Sequence, residues 1–196
     1  MKKQIIAGMA AAMVCVGAVG GTFAYLTQIT DEVTNTFTVG ENVGITLDEA
    51  KVTELGVAVT PEERTDHNEY KLIPGHTYTK DPTVTVNTGT ADCYVFVHVE
   101  NGISDIEGED TIASQIEGRW TETDIPGYYY WKEGVVEAGD ELIVFESFTV
   151  DEEATIEDLN DYANARIIIT ACAVQADGFA NAEEAMEALP AGFFAK

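Results

Sequence analysis

Hydrophobic and polar positions alternate with a period of two in several short runs, the pattern of strands that bury one face. Thr36–Val39 and Ile45–Leu47 alternate in this way, punctuated by Gly40 and Gly44. Val52–Thr60 is a β-branched run that stops at Pro61, and Glu62–Glu69 (EERTDHNE) is polar enough for a loop or an insertion tip. Tyr70–Ile73 leads into Pro74-Gly75, a turn dipeptide. Asp81–Asn87 alternates strictly, and Asn87–Thr90 makes the next turn. The run Cys93–Glu100 (CYVFVHVE) is different, because it is apolar on both faces. Cys93, Val95, Val97 and Val99 share one face; Tyr94, Phe96 and His98 share the other. Such a strand belongs in the middle of a sheet covered on both sides, or at a contact surface.

Downstream, Asn101–Gly118 is a polar connection with a short helix expected at Thr111–Ile116. Trp120 and then Tyr128–Trp131 place a dense aromatic hairpin around Ile125-Pro126-Gly127. Its rings either split between core and sheet edge or present a surface for sugars or a partner. Leu142–Val150 reads as a core strand and Arg166–Gln175 as the last long one. Between them, Asp151–Tyr162 carries Ile156 and Leu159 three apart, a short surface helix or a crossing loop. Asn181–Leu189 is helical: Asn181 caps it, Glu183 and Glu184 suit its first turn, and Pro190 ends it. Many short strands with regular turn signals and only ornamental helices predict an all-β fold, an antiparallel β-sandwich with short peripheral helices.

The N-terminus follows a different pattern. Lys2 and Lys3 precede Ile5–Gly21, which has no charge, and Thr22-Phe23-Ala24 is a small-x-small site. This predicts a signal peptide over residues 1–24, cleaved between Ala24 and Tyr25, with an uncleaved membrane anchor as the alternative. Residues 25–40 then form an N-terminal segment and first strand, and residues 41–196 the sandwich domain. Membrane contact is expected only through the uncleaved signal, and the chain is expected to act outside the cell.

Charge narrows the partners. The 196 residues carry 35 Asp and Glu against 10 Lys and Arg, a formal charge of −25. Such a surface repels nucleic acid and anionic lipid, so no nucleic-acid partner is expected. Well-solvated acids are one reading of the charge and attraction of divalent cations the other. No cofactor is expected apart from Ca²⁺, for which the loop Asp105–Asp110 (DIEGED) is the candidate, although it lacks the EF-hand pattern. Of three cysteines, Cys15 leaves with the signal. Cys93 and Cys172 permit one disulfide or remain as two packed thiols.

Catalytic signatures are scarce. His67, His76 and His98 form no HExxH and no pair four apart, and His98 lies mid-strand among aromatic residues. Ser104, Ser114 and Ser147 lack a GxSxG elbow, and no phosphate-binding glycine loop follows a strand. No catalytic residue is assigned.

The stretch GTFAYLTQITDEVTNTFTVGENVGITL resembles the N-terminal signature of secreted proteins related to TasA and camelysin, exported in Gram-positive bacteria with a SipW-type signal peptidase. Leu72–Gly75 followed by Val84–Asn87, Ala91–Val99, and Ile169–Phe179 before a terminal helix resemble the same family at the level of pattern. The resemblance implies a jelly-roll sandwich and a structural subunit of biofilm-matrix fibres or a surface layer. It also implies self-association, or assembly with related matrix proteins, by a donated strand just after the cleavage site. Here that strand would be about Tyr25–Thr34, with Tyr25, Leu26, Ile29 and Val33 as its apolar side chains. Camelysin-like proteins imply the alternative, a cell-surface zinc metalloendopeptidase.

Overall fold

Alternating stretches of the chain build two four-stranded sheets around one core. In a computed structural model, which describes residues 43–59 and 63–194, the strands are β1 (Ile45–Ala50), β2 (Arg64–Thr65), β3 (Thr77–Thr79), β4 (Thr83–Val86), β5 (Cys93–Asn101), β6 (Trp120–Glu122), β7 (Tyr128–Trp131), β8 (Glu141–Ile143), β9 (Ser147–Thr149) and β10 (Ile167–Gln175). One sheet has the order β2-β1-β4-β8, the other β10-β5-β7-β6, and β3 pairs with β9. Every pairing is antiparallel. The fold is all-β with short peripheral helices. The predicted signal, the Ala24–Tyr25 cleavage point, the donor residues Leu26, Ile29 and Val33, and the strand Thr36–Val39 lie outside the described residues.

The two sheets share a core. Val84, Val86 and Leu142 from one meet Cys93, Val95, Val97, Trp120 and Tyr129 from the other, all nearly removed from solvent. Each large aliphatic or aromatic side chain buried this way contributes about 1.5–3 kcal/mol. The opposite face of β5 carries Tyr94 and Phe96, which join Tyr128 under Ala182, Ala185, Leu189 and Phe193 of the C-terminal segment. β5 is therefore covered on both faces, as its composition requires.

Three expectations change. Val52–Thr60 is not a strand over its described part: a single bridge joins Val52 to Ala58 across a turn at Gly56. There φ is +72°, and a Cβ would lie 2.8 Å from the Tyr78 backbone, so the chain turns back instead of extending. Leu142–Val150 is two strands in place of one, with Val144 and Phe145 fully buried between them. Its pairing with residues 77–86 keeps one register on both sides of the gap. Pro82 lies in that gap, accepts from Val144 N and has no N–H to return, which interrupts the ladder. The polar loop contains β2, which pairs with the end of β1.

The predicted helices form. Ile112–Glu117 is capped by Thr111, and Ala182–Met186 by Asn181, whose side chain accepts from Glu184 N. Asp151–Tyr162 resolves into the helix Ile156–Asp161, started by a capping box between Thr155 and Asp158. Among the described residues no helix is long and apolar enough to cross a membrane.

Candidate functional site

The cysteines settle first. In the β5–β10 register Cys93 faces Gln175 and Cys172 faces Phe96, an odd offset that puts the two thiols on opposite faces of the sheet. The disulfide does not form, and both thiols are free. Burial pushes the Cys93 thiol up to about 11, and burial raises Cys172 as well.

The histidines have separate neighbours. His67 is exposed and bonds Asp66 through Nδ1 at 2.7 Å, which raises its pKa. His76 donates from Nε2 to the Leu55 carbonyl at 3.0 Å and meets the Tyr78 ring edge-on. His98 stacks on Tyr128 with centroids 4.0 Å apart, and its buried Nδ1 has no hydrogen-bond partner. Among the described residues, no three His, Cys, Asp or Glu side chains gather as a metal site requires. In the acidic loop, Glu107 accepts from Asn101 Nδ2 (2.8 Å) and Ile112 N (2.9 Å), tying the loop to the following helix. Desolvation raises its pKa.

The aromatic hairpin is used for packing on both faces. Tyr129 and Trp131 turn to the main core, while Tyr128 and Tyr130 turn to the outer one. Tyr130 Oη donates to Glu183 at 3.1 Å and holds the C-terminal helix down.

Two features remain open. The first is a side of the sandwich. Among the described strands β10 stands at the end of its sheet, with β5 as its neighbour, and β1 approaches it from the other sheet. Ile167, Ile169, Ala171 and Ala173 of β10, and Ile45 and Leu47 of β1, pack on the core yet are only half-buried. The main core is thus thinly covered along this side.

The second is a cleft of about 950 Å³ at the start of β10. One wall is the segment after β2. Asn68 fastens it, donating to Glu49 Oε1 (3.0 Å) and Ala50 O (2.9 Å) while accepting from Val52 N (3.0 Å). Arg64 adds ion pairs to Asp48 and Asp81. The other wall is the helix Ile156–Asp161 with the turn that leads to Arg166. Lys80 and Glu49 form a buried ion pair in the lining, and the Lys80 ammonium lies 5.9 Å from the Tyr70 ring centroid. Burial, with the Glu49 charge adding, moves the Tyr70 phenol well above its ordinary range. The segments forming this cleft are far apart in the chain, and the acid excess around them hides its cations. No local motif announces it.

No family model, no curated protein and no solved structure matches the chain. The likeness to TasA and camelysin rests on the residues quoted for it.

Proposed function

We propose that this chain is a secreted structural subunit of extracellular matrix fibres or a surface layer, and that it assembles by strand donation. A SipW-type peptidase exposes Tyr25, and Tyr25–Thr34 of one copy adds alongside β10 of the next. The observation that carries this reading is the side between β1 and β10. Among the described strands, nine-residue β10 ends its sheet, and the apolar residues beneath it are only half-buried, a surface that folded domains ordinarily shield. An added strand supplies backbone hydrogen bonds along β10 and side chains over Ile167, Ile169 and Leu47. The jelly-roll arrangement belongs to the same reading.

The test compares the chain beginning at Tyr25 with one beginning at Asn35, by electron microscopy at matched concentration. Fibres from the first form alone are expected. Equal fibres from both, or none from either, overturn strand donation.

A further inference from the structure

We propose that Lys80 and Asn68 join in an intramolecular isopeptide bond, formed with Glu49 as the proton carrier. The proposal goes beyond strand donation and does not depend on it. One carboxylate holds both reacting groups. Glu49 Oε2 accepts from the Lys80 ammonium, and Glu49 Oε1 accepts from Asn68 Nδ2 at 3.0 Å. Lys80 is 7% exposed and Glu49 5%, so water competes little for either. Lys80 Nζ also lies 5.9 Å from the Tyr70 ring centroid, and that ring packs edge-on against Tyr78 and Phe148. The amide is oriented as well as held. Its Nδ2 donates a second time, to Ala50 O (2.9 Å), while Oδ1 accepts from Val52 N (3.0 Å). A buried lysine needs only a carboxylate for neutrality. A side-chain amide on the same carboxylate, with a backbone N–H on its carbonyl oxygen, is the equipment of acyl transfer.

Charge is costly away from water, which favours passing a proton within the pair from ammonium to carboxylate. The freed electron pair on Lys80 Nζ then forms a bond to Asn68 Cγ. The carbonyl electrons move to Oδ1, where the Val52 N–H stabilises the oxyanion. Glu49 gives its proton to Nδ2, to which it is already hydrogen-bonded. The Cγ–Nδ2 bond breaks, and ammonia leaves with that electron pair. The surplus proton on Nζ returns to Glu49 and passes to the departing ammonia. One ammonium and one primary amide enter; one secondary amide and one ammonium ion result, with no oxidant or reductant. Holding both partners on one carboxylate supplies the proximity that a free amine and amide lack. The product ties the segment after β2 to the corner between β3 and β4, closing the stretch that turns at Pro74-Gly75. β2 pairs with β1 over two positions, so the segment that follows it gains a hold that hydrogen bonds alone do not give.

The test digests the purified full chain with trypsin and reads the products by tandem mass spectrometry. Trypsin does not cut after an acylated lysine. The expected product is therefore a branched peptide, residues 65–71 joined through Asn68 to Lys80 within residues 72–119, lighter than its two parts by one ammonia. Lys80→Arg keeps the charge but lacks the nucleophile, and should release residues 65–71 as a free peptide. Glu49→Gln should do the same, with its fold checked by circular dichroism; the wild-type digest decides whether or not that variant folds. Separate, unmodified peptides from the wild-type chain overturn the proposal. So does a branch joining Lys80 to Glu49 with loss of water, or an ammonia lost while Asn68 and Lys80 stay in separate peptides. An intact branch in Glu49→Gln overturns the role given to Glu49. Fibre formation by itself bears on strand donation, so the two readings fail separately.

Discussion

β5 and β10 are neighbours of equal length, paired residue for residue over nine positions, and both are strongly apolar in sequence. Their fates differ. β5 is buried from Cys93 to Val99, while β10 is half-exposed over most of its length. β5 lies between β10 and β7 and has the C-terminal segment over its outer face. β10 has β5 for a neighbour and offers smaller side chains, Ala171, Cys172 and Ala173, opposite Val97, Phe96 and Val95. The apolarity of a strand reports which faces are covered and says little about its edges. That gap between sequence and burial is where the proposed assembly surface lies.

The contrast can be broken by substitution. Phe96→Ala on β5 removes a ring that is 1% exposed and should cost about 3–5 kcal/mol in urea unfolding. Ile169→Ala on β10 should cost less than half of that, about 1–2 kcal/mol, because its side chain is only half-buried. Equal losses at the two sites would mean that β10 is as enclosed as β5.

The thiols sharpen the same contrast through pH. Cys93 keeps its proton to about 11, whereas an unfolded thiol releases it near ~8.5. The unfolded chain then binds fewer protons than the folded one, so stability falls as pH rises through that interval. Cys93→Ala should flatten this alkaline slope, and Ellman's reagent should modify half-buried Cys172 well before Cys93. The smallest effect is expected at Ile168, 39% exposed on β10: Ile168→Lys should change stability by less than about 0.5 kcal/mol. If strand donation is right, the same substitution should suppress fibres, since an edge lysine opposes strand addition.

Much of the fold was legible because its signals are local. Alternation marked Thr83–Val86, two-faced apolarity marked β5, and Thr111 and Asn181 marked helix starts. Errors arose where a distant contact overrode local preference. The β-branched residues after Val52 turn back because Gly56 packs on the Tyr78 backbone, and the strand through Phe145 breaks where Pro82 comes opposite. The cleft was not legible at all. Glu49, Asn68 and Lys80 acquire their meaning only when β1, the segment after β2 and the β3–β4 corner meet.

The uniform register between residues 77–86 and 141–149 also bears on how the chain reaches its native state. Its partners lie far apart along the polypeptide, with Thr77 bonded to Thr149 across 72 positions. Closing so long a loop must precede any reward from the contacts, which slows the search for native structure. The β6–β7 hairpin, whose connection turns at Gly127, is a local contact and faces no such delay. Until the long-range ladder closes, the inner face of β5, with Val95 and Val97, lacks its cover from Val84 and Leu142, and this interval is when newly made chains are most prone to aggregate.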